Sequence, residues 1–558
     1  MSSRPWHLRR AIPPGPEPWA LLQKAFGLSR EAARLAWLRG EDTVEALAWR
    51  MNPEWSRTFD PFLLLGMPQA VERIRRALRE GERVVVYGDY DVDGVTATAL
   101  LVRVLEKLGG RPESFIPNRF NDGYGLHLEC IRELREAGGP GLFISVDCGV
   151  RSLAEVALGT ELGIDWIITD HHSLGPALPQ AVSVLHPLLG DHPNRSLAGV
   201  GVAFKLGQAL LDAVPSPRDS DIPFLDGLLK LVALGSIADM VPLTGENALL
   251  VKRGLMALGG PNGPGLVELL KAARIEGIPK ASEIAFGVAP RLNAVGRMGG
   301  AEDAVRLLLT RDPEEARGLA ERVESLNRSR KVVQGELLAL LPAPDGEAFD
   351  LVISEGAHKG VLGIVAARRM RESDLPTGVG TIQDGLVQCS LRAPEGFDLT
   401  ELLASTQPFL RSGGGHRAAA GITFEASRLP FVRQALARGA ALQASTRVVR
   451  GLAVDGLGVG DIPGGTELNA FEPFGQGFPE PLAALEGRLL TPSTAFGQGH
   501  RKFHLDGIRD GFTWFFGEEH ASSLNVGQPL RLAASPQDHP RWGRSWKVDT
   551  LLDQEETP

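Results

Sequence analysis

The sequence predicts an α/β protein organised on a parallel sheet, and three observations carry that prediction. The apolar runs VVVYG, LFISV and WIIT recur at intervals of about 25 to 60 residues, with helical patterns between them. Runs without polar alternation read as strands buried on both faces. Each run leads into acidic residues: Asp89, Asp91 and Asp93 in GDYDVDG, Asp147 in SVDCG, and Asp170-His171-His172 in ITDHH. Ligands of such sheets bind at the carboxyl ends of the strands.

The elements follow in order. Residues 1–50 read as an N-terminal arm, and PQAVERIRRALRE as a helix over about 68–80. Residues 51–312 hold the sheet and its motifs. Within them LAGVGVAFKLGQALLDAV (197–214) is a Gly-rich helix start with an apolar stripe. FLDGLLKLVALGSIADMVPL (224–243) is a buried helix that runs into a turn at Asp239. Residues 313–341 form one amphipathic connecting helix, about 43 Å long at 1.5 Å per residue.

A second α/β block spans 342–447. DLVISEG reads as a strand, HKGVLGIVAARRMRE as a helix, and GLVQCSLRAPEGFDL as a strand carrying Ser390 and Arg392. Residues two apart share one strand face. GGGHRAAAG follows; its glycines suit close approach to a polymer backbone and lead to His416. Over 448–558 the patterns RKFHLDGI, GFTWFFG, QPLRLAASPQ and SWKVDTLLD read as a small antiparallel barrel. There Trp514, Phe515, Phe516, Trp542 and Trp546 lie near Arg501, Lys502, Arg541 and Lys547. Aromatics interleaved with bases suit stacking on single-stranded nucleic acid. The same aromatics also suit an ordinary barrel core.

The acidic motifs demand cations. Two carboxylates about 4 Å apart repel by roughly 4 kcal/mol at an effective dielectric of about 20. Oxygen-rich ligands with one or two imidazoles suggest Mn²⁺ or Mg²⁺, and a pair of ions rather than one. GDYDVDG leaves a strand and turns at Gly94, where a loop can wrap an ion. Thr96 and the N–H groups of the helix start beyond it are candidates to hold an anion such as phosphate. A calcium loop is a poor fit, because Leu100 stands where that loop needs Glu.

Composition bounds the rest. A chain of 558 residues predicts three or more domains. It has no run of 18 apolar residues to span a membrane, and its first residues lack the apolar core of a signal peptide. Cys130, Cys148 and Cys389 have no CxxC spacing, which excludes a cysteine zinc site and suits a reducing cytoplasm. A net charge of −9 argues against a wholly basic surface but not against a local basic groove.

GDYDVDG, SVDCG, TDHH and GSIADMVP, in this order, resemble the DHH phosphoesterase superfamily. NRFNDGYGL, PRLNAVGRM, GGGHRAAAG and FEPFGQGFPEP narrow the resemblance to its single-strand-specific 5′→3′ exonuclease branch, over roughly 50–555. The resemblance implies a parallel-sheet DHH domain, a connecting helix, a DHH-associated domain and an oligonucleotide-binding (OB) β-barrel. It implies that Asp89, Asp91, Asp93, Asp147, His171 and Asp239 are metal ligands or their immediate partners, with Asp89 and Asp91 favoured as direct ligands. His172 then faces the scissile phosphate, and Asp170 orients an imidazole.

A 5′-end enzyme must also hold a terminal phosphate. Arg119, Arg291, Asn293, Ser390, Arg392 and His416 are the candidates, since Arg forks match phosphate oxygens; Trp514 is a candidate for stacking. The implied role is DNA repair and recombination by a cytoplasmic monomer acting on single-stranded DNA. A single-strand-binding protein and a RecQ-like helicase are the implied partners. Alternatives are a DHH oligonucleotidase or nucleotide phosphatase, an inorganic pyrophosphatase, and a non-catalytic single-strand-binding subunit. The connector and barrel argue against the small-substrate enzymes. The intact carboxylates and both histidines argue against the inert subunit.

Overall fold

The computed structural model describes residues 4–118, 125–212, 217–447, 451–497, 499–515, 517, 524–539 and 543–553. Arg119, Phe516, Arg541 and Trp542 lie outside the described residues.

The three apolar runs form strands Val84–Gly88, Leu142–Val146 and Asp165–Thr169. Glu113–Phe115 and Ser183–Leu185 complete a five-stranded, wholly parallel sheet. Alternate side chains enter two cores. Val84, Val86, Ile144 and Ile167 join one with helices Val92–Lys107, Gly199–Leu210 and Ile222–Ala238. Val85, Tyr87, Phe143, Trp166 and Ile168 join the other, with Cys130 and Val156 from the helices opposite. Burial on both faces explains why these strands lack polar alternation.

The first strand in sequence, Val84–Gly88, lies between Glu113–Phe115 and Leu142–Val146. The chain therefore winds in opposite directions from Val84–Gly88 and from Leu142–Val146. A crevice opens at such a switch point, outside the carboxyl ends of those strands. Asp89 and Asp147 are the first residues beyond those ends.

The connecting helix runs Pro313–Leu340, with Asp312 as its N-cap. Leu319, Ala320 and Val323 join the core of the first domain; Leu337 packs with Val361, Leu362 and Val365 of the second. The second domain has a mixed sheet in the order Ser412–Gly415, Ala419–Glu425, Leu386–Arg392, Thr377–Gln383, Asp350–Ile353.

The C-terminal sheet has six strands. Leu485 on its first strand shares one core with Phe503, Phe512, Trp546 and Val548, so the sheet curls on itself. The expected all-antiparallel pairing needs one correction: Gly511–Trp514 pairs with Gly543–Leu551 in parallel. The N-terminal arm is part of this half of the molecule. Trp6–Leu8 pairs in parallel with Leu452–Val454. Three helices, Ala20–Phe26, Arg30–Leu38 and Val44–Met51, pack against Leu468, Phe471, Phe474 and Phe478. Asp455, fully buried, holds Arg9 at 2.6 Å and Arg39 at 2.8 Å.

Candidate metal centre

Each acidic residue is placed by a local feature of the chain. Asp91 caps helix Val92–Lys107, its Oδ1 accepting the N–H groups of Asp93 at 2.9 Å and Gly94 at 3.2 Å. Gly94 is needed because a Cβ there would lie 2.5 Å from the Asp89 carbonyl oxygen. Asp93 accepts from the N–H groups of Gly199 at 2.6 Å and Val200 at 2.9 Å. The start of helix Gly199–Leu210 thus points its positive end at this carboxylate. Asp147 sits in the left-handed region with φ 61°, which turns it out of its strand end. Asp239 is the C-cap of helix Ile222–Ala238.

These carboxylates and the His171 ring converge. His171 Nε2 lies 3.2 Å from Asp147 Oδ1 and 3.7 Å from both Asp93 Oδ2 and Asp239 Oδ2. This nitrogen is buried and has no hydrogen-bond partner among the described residues. Its position among three carboxylate oxygens is the arrangement a cation completes. Three overlapping donor groups emerge, with the donor atoms of each within 4.8 Å of one another: Asp89 with Asp91 and Asp147, Asp93 with His171 and Asp239, and Asp147 with His171 and His172. The first two share no residue and together use every carboxylate of the cluster, with His171. Mixed carboxylate and imidazole donors in two adjoining sets fit a pair of Mn²⁺ or Mg²⁺ ions.

Protonation follows burial and crowding. Burial, then the neighbouring carboxylates, push Asp93 up to about 7 and Asp239 up to about 8. The same causes push Asp147 well above the usual carboxylate range. Burial holds His171 down at about 4, with the charge of His172 adding to it. The DHH loop separates two roles. Asp170 Oδ1 accepts the N–H groups of His171 at 2.7 Å and His172 at 3.1 Å, and lies 2.8 Å from His172 Nδ1. Burial opposes the charge of both groups, yet their hydrogen bond prevails. Asp170 falls to about 2 and His172 rises to about 9.

Two expectations about anion binding need correction. Thr96 is fully buried, and its hydroxyl donates to the carbonyls of Val92 at 2.7 Å and Asp93 at 3.1 Å. Those bonds and the Asp91 cap leave this helix start no role as a phosphate cradle. Arg291 points its nitrogens at the Glu324 carboxylate at 2.7 Å and at the carbonyls of Gly287 and Ala272. It braces its helix against the connector. Asn293, two residues on, is half-buried on another face. Gly296 brings that helix against the metal loop, since a Cβ there would lie 2.4 Å from the Tyr90 carbonyl oxygen.

Ser390 and Arg392 lie half-buried on one face of Leu386–Arg392. They sit beside the first turn of helix Leu362–Ser373, where a Cβ on Gly363 would be 2.9 Å from Arg392 Nη2. His416 is exposed at the hairpin turn after Gly415, which needs its φ of 154° and has no room for a Cβ.

The stacking assignment of Trp514 is also corrected. It is 4% exposed, in the core of the C-terminal sheet. Phe515, 43% exposed, faces outward beside His500, with ring centroids 5.2 Å apart. Phe496 extends this outer row, and Lys502 lies 4.7 Å from its ring. Phe496 and His500 escaped sequence reading, although their strand alternation with Lys502 carries the signal.

A parallel sheet presenting clustered aspartates and a DHH loop at its switch point is the arrangement of the DHH family. Residues 83–236 match the DHH family N-terminal domain, 347–440 the DHHA1 domain and 465–547 the RecJ OB domain. A single-stranded-DNA-specific exonuclease RecJ of Thermus thermophilus is 37% identical over 505 residues, covering 88% of this chain and 71% of that protein. The RecJ of Bacillus subtilis is 36% identical over 500 residues, covering 87% of this chain and 62% of that protein. The crystal structure of Thermus thermophilus RecJ with Mn²⁺ superposes with a TM-score of 0.82 at 32% identity, covering 99% of this chain and 80% of that one. The chain belongs to the RecJ family.

Proposed function

We propose that this protein is a single-strand-specific 5′→3′ exodeoxyribonuclease that releases mononucleotides with two divalent cations, Mn²⁺ or Mg²⁺. The observation that carries the reading is the pair of donor sets at the switch point. Asp89, Asp91 and Asp147 would hold one ion; Asp93, His171 and Asp239 would hold the other. Bound there, divalent ions supply Lewis acidity at the phosphate and acidify the attacking water.

The remaining residues have work of their own. His172, charged at neutral pH and fixed by Asp170, offers an N–H and a positive charge to a phosphate oxygen as negative charge builds. Ser390, Arg392 and the GGGH loop form the anion-binding end that sets polarity, because a terminal phosphate matches an Arg fork. Phe515, His500, Phe496 and Lys502 offer a stacking and cationic track for the rest of the strand. Repair and recombination are the setting this activity suits. A single-strand-binding protein and a RecQ-like helicase would supply its substrate in the cytoplasm, with the nuclease acting as a monomer.

The aromatic track, exposed at Phe515 and half-buried at Phe496 and His500, disfavours a small-substrate phosphatase, which needs no contact beyond the scissile group. The test is Mn²⁺-dependent release of mononucleotides from a labelled single strand, beside duplex, dinucleotide and pyrophosphate. Preference for dinucleotide or pyrophosphate would replace this reading with the small-substrate one.

A further inference from the structure

The loop carrying His171 and His172 is held from beneath by a third histidine. His186 is the first residue after the edge strand Ser183–Leu185 and is fully buried. Its Nδ1 accepts the N–H of Leu188 at 3.1 Å. A ring nitrogen that accepts carries no proton, so His186 is neutral with its hydrogen on Nε2. That Nε2 lies 2.8 Å from the carbonyl oxygen of His172 and donates to it.

His172 is thereby gripped from both sides. Its N–H and its Nδ1 both engage Asp170 Oδ1, and its carbonyl engages His186. One residue earlier on the edge strand, the Leu185 carbonyl accepts the Asp170 N–H at 3.1 Å. Two successive residues, the last of the edge strand and the one after it, thus fasten Asp170 and His172. His171 shares the Asp170 contact through its N–H at 2.7 Å, but its ring is fixed elsewhere, among Asp93, Asp147 and Asp239. Loss of the tie at residue 186 therefore acts on the phosphate-facing histidine more than on the metal-facing one.

We infer that His186 is a positioning residue, which sets the aim of the His172 imidazole by clamping the His172 carbonyl. The inference rests on the exonuclease reading above and on its division of labour between the two histidines. Without the clamp, the His172 peptide turns about the Asp170 contact, and the imidazole loses its line to the reacting phosphate. A displacement of about 1 Å in a catalytic group is enough to cost a large factor in rate.

His186→Phe keeps the ring and removes the donor; His186→Gln restores an N–H at similar reach. His186→Phe should bind Mn²⁺ by calorimetry as the wild type does and keep KM for a single strand. Its kcat should fall about tenfold or more, as for other outer-sphere supports, and His186→Gln should recover most of that loss. Introduced into His172→Ala, His186→Phe should lower kcat by less than about twofold further, because coupled residues are not additive. Additive losses, an unchanged kcat in His186→Phe, or a matching loss of Mn²⁺ affinity would each overturn the inference. If His186→Phe does not fold, the same cycle with His186→Leu, which also lacks the donor, decides. Imidazole ¹⁵N spectra of the metal-free wild type give a readout independent of activity. A neutral Nε2–H tautomer at His186 supports the clamp, and Nδ1–H or a doubly protonated ring refutes it. A wild type that leaves single strands intact would defeat the exonuclease reading, with the tautomer still deciding the clamp.

Discussion

Gly199 donates its N–H to Asp93 Oδ2 at 2.6 Å, and a Cβ at the same residue would lie 2.5 Å from Asp147 Oδ1. One glycine therefore spaces a carboxylate from each donor set. Gly199→Ala should push Asp147 aside or draw the helix start away from Asp93. The expected result is a fall in Mn²⁺ affinity of about tenfold or more, with a stability loss of about 1–3 kcal/mol from overpacking. Calorimetric titration measures the first and chemical denaturation the second. Wild-type affinity would show that the two carboxylates tolerate independent movement.

The crowded carboxylates predict a pH dependence of the metal-free protein. Asp93 is raised to about 7 and Asp239 to about 8, whereas unfolded carboxyls titrate near 4. Between those limits the folded state binds more protons than the unfolded one. Its stability therefore falls as pH rises from about 4 to about 8. Divalent ions displace those protons, so Mn²⁺ affinity should rise with pH through that window. Melting curves across the range, with and without Mn²⁺, check both trends. A metal-induced shift independent of pH would contradict the protonation pattern.

Neighbouring aromatics in the C-terminal domain should behave oppositely. Trp514→Ala empties a core position and should cost about 3–5 kcal/mol of stability. Phe515→Ala should leave stability nearly unchanged and weaken single-strand binding by about 1–3 kcal/mol, the contribution of one stacked base. Melting curves and equilibrium binding to a long oligonucleotide separate the two. A Phe515→Ala protein that binds normally would remove the outer row from the DNA path.

That contrast shows what the sequence made legible and what it hid. GFTW alternates with Phe512 and Trp514 on the buried face, but the aromatic run continues past the strand in GFTWFFG, so composition alone could not tell Trp514 from Phe515. The catalytic sheet was plain, because VVVYG, LFISV and WIIT must be buried on both faces and each runs into acid. The DHH loop and the connecting helix were equally plain from motif and period. Contacts across long separations left no local trace. Nothing near Trp6 announces a partner at Leu452, and nothing near Arg291 announces Glu324. Thr96 misled because a hydroxyl at a helix start suits an anion, whereas here it bonds back to the carbonyl four residues earlier.

End recognition gives a further prediction. If Arg392 and Ser390 hold the terminal phosphate, a 5′-phosphorylated strand should be cleaved about tenfold or more faster than a 5′-hydroxyl strand, given about 1.5–3 kcal/mol for a charge-assisted bond. Arg392→Ala should erase most of that preference and spare the hydroxyl substrate. Paired kinetics at fixed salt measure it. Equal loss on both substrates would mean that Arg392 tracks the strand backbone and that the end pocket lies elsewhere.

The central claim is that two divalent ions at the switch point drive hydrolysis from the 5′ end of a single strand. It is tested most directly by following one single-stranded oligonucleotide labelled at either end, with Mn²⁺ added or chelated. The predicted result is prompt release of labelled mononucleotide from the 5′-labelled strand. The 3′ label should persist on a ladder of shortening products. Both signals should vanish on chelation and in Asp147→Ala, which keeps its fold but lacks a carboxylate between the two donor sets. Release beginning at the 3′ end, internal fragments from the outset, or full activity in Asp147→Ala would contradict the account.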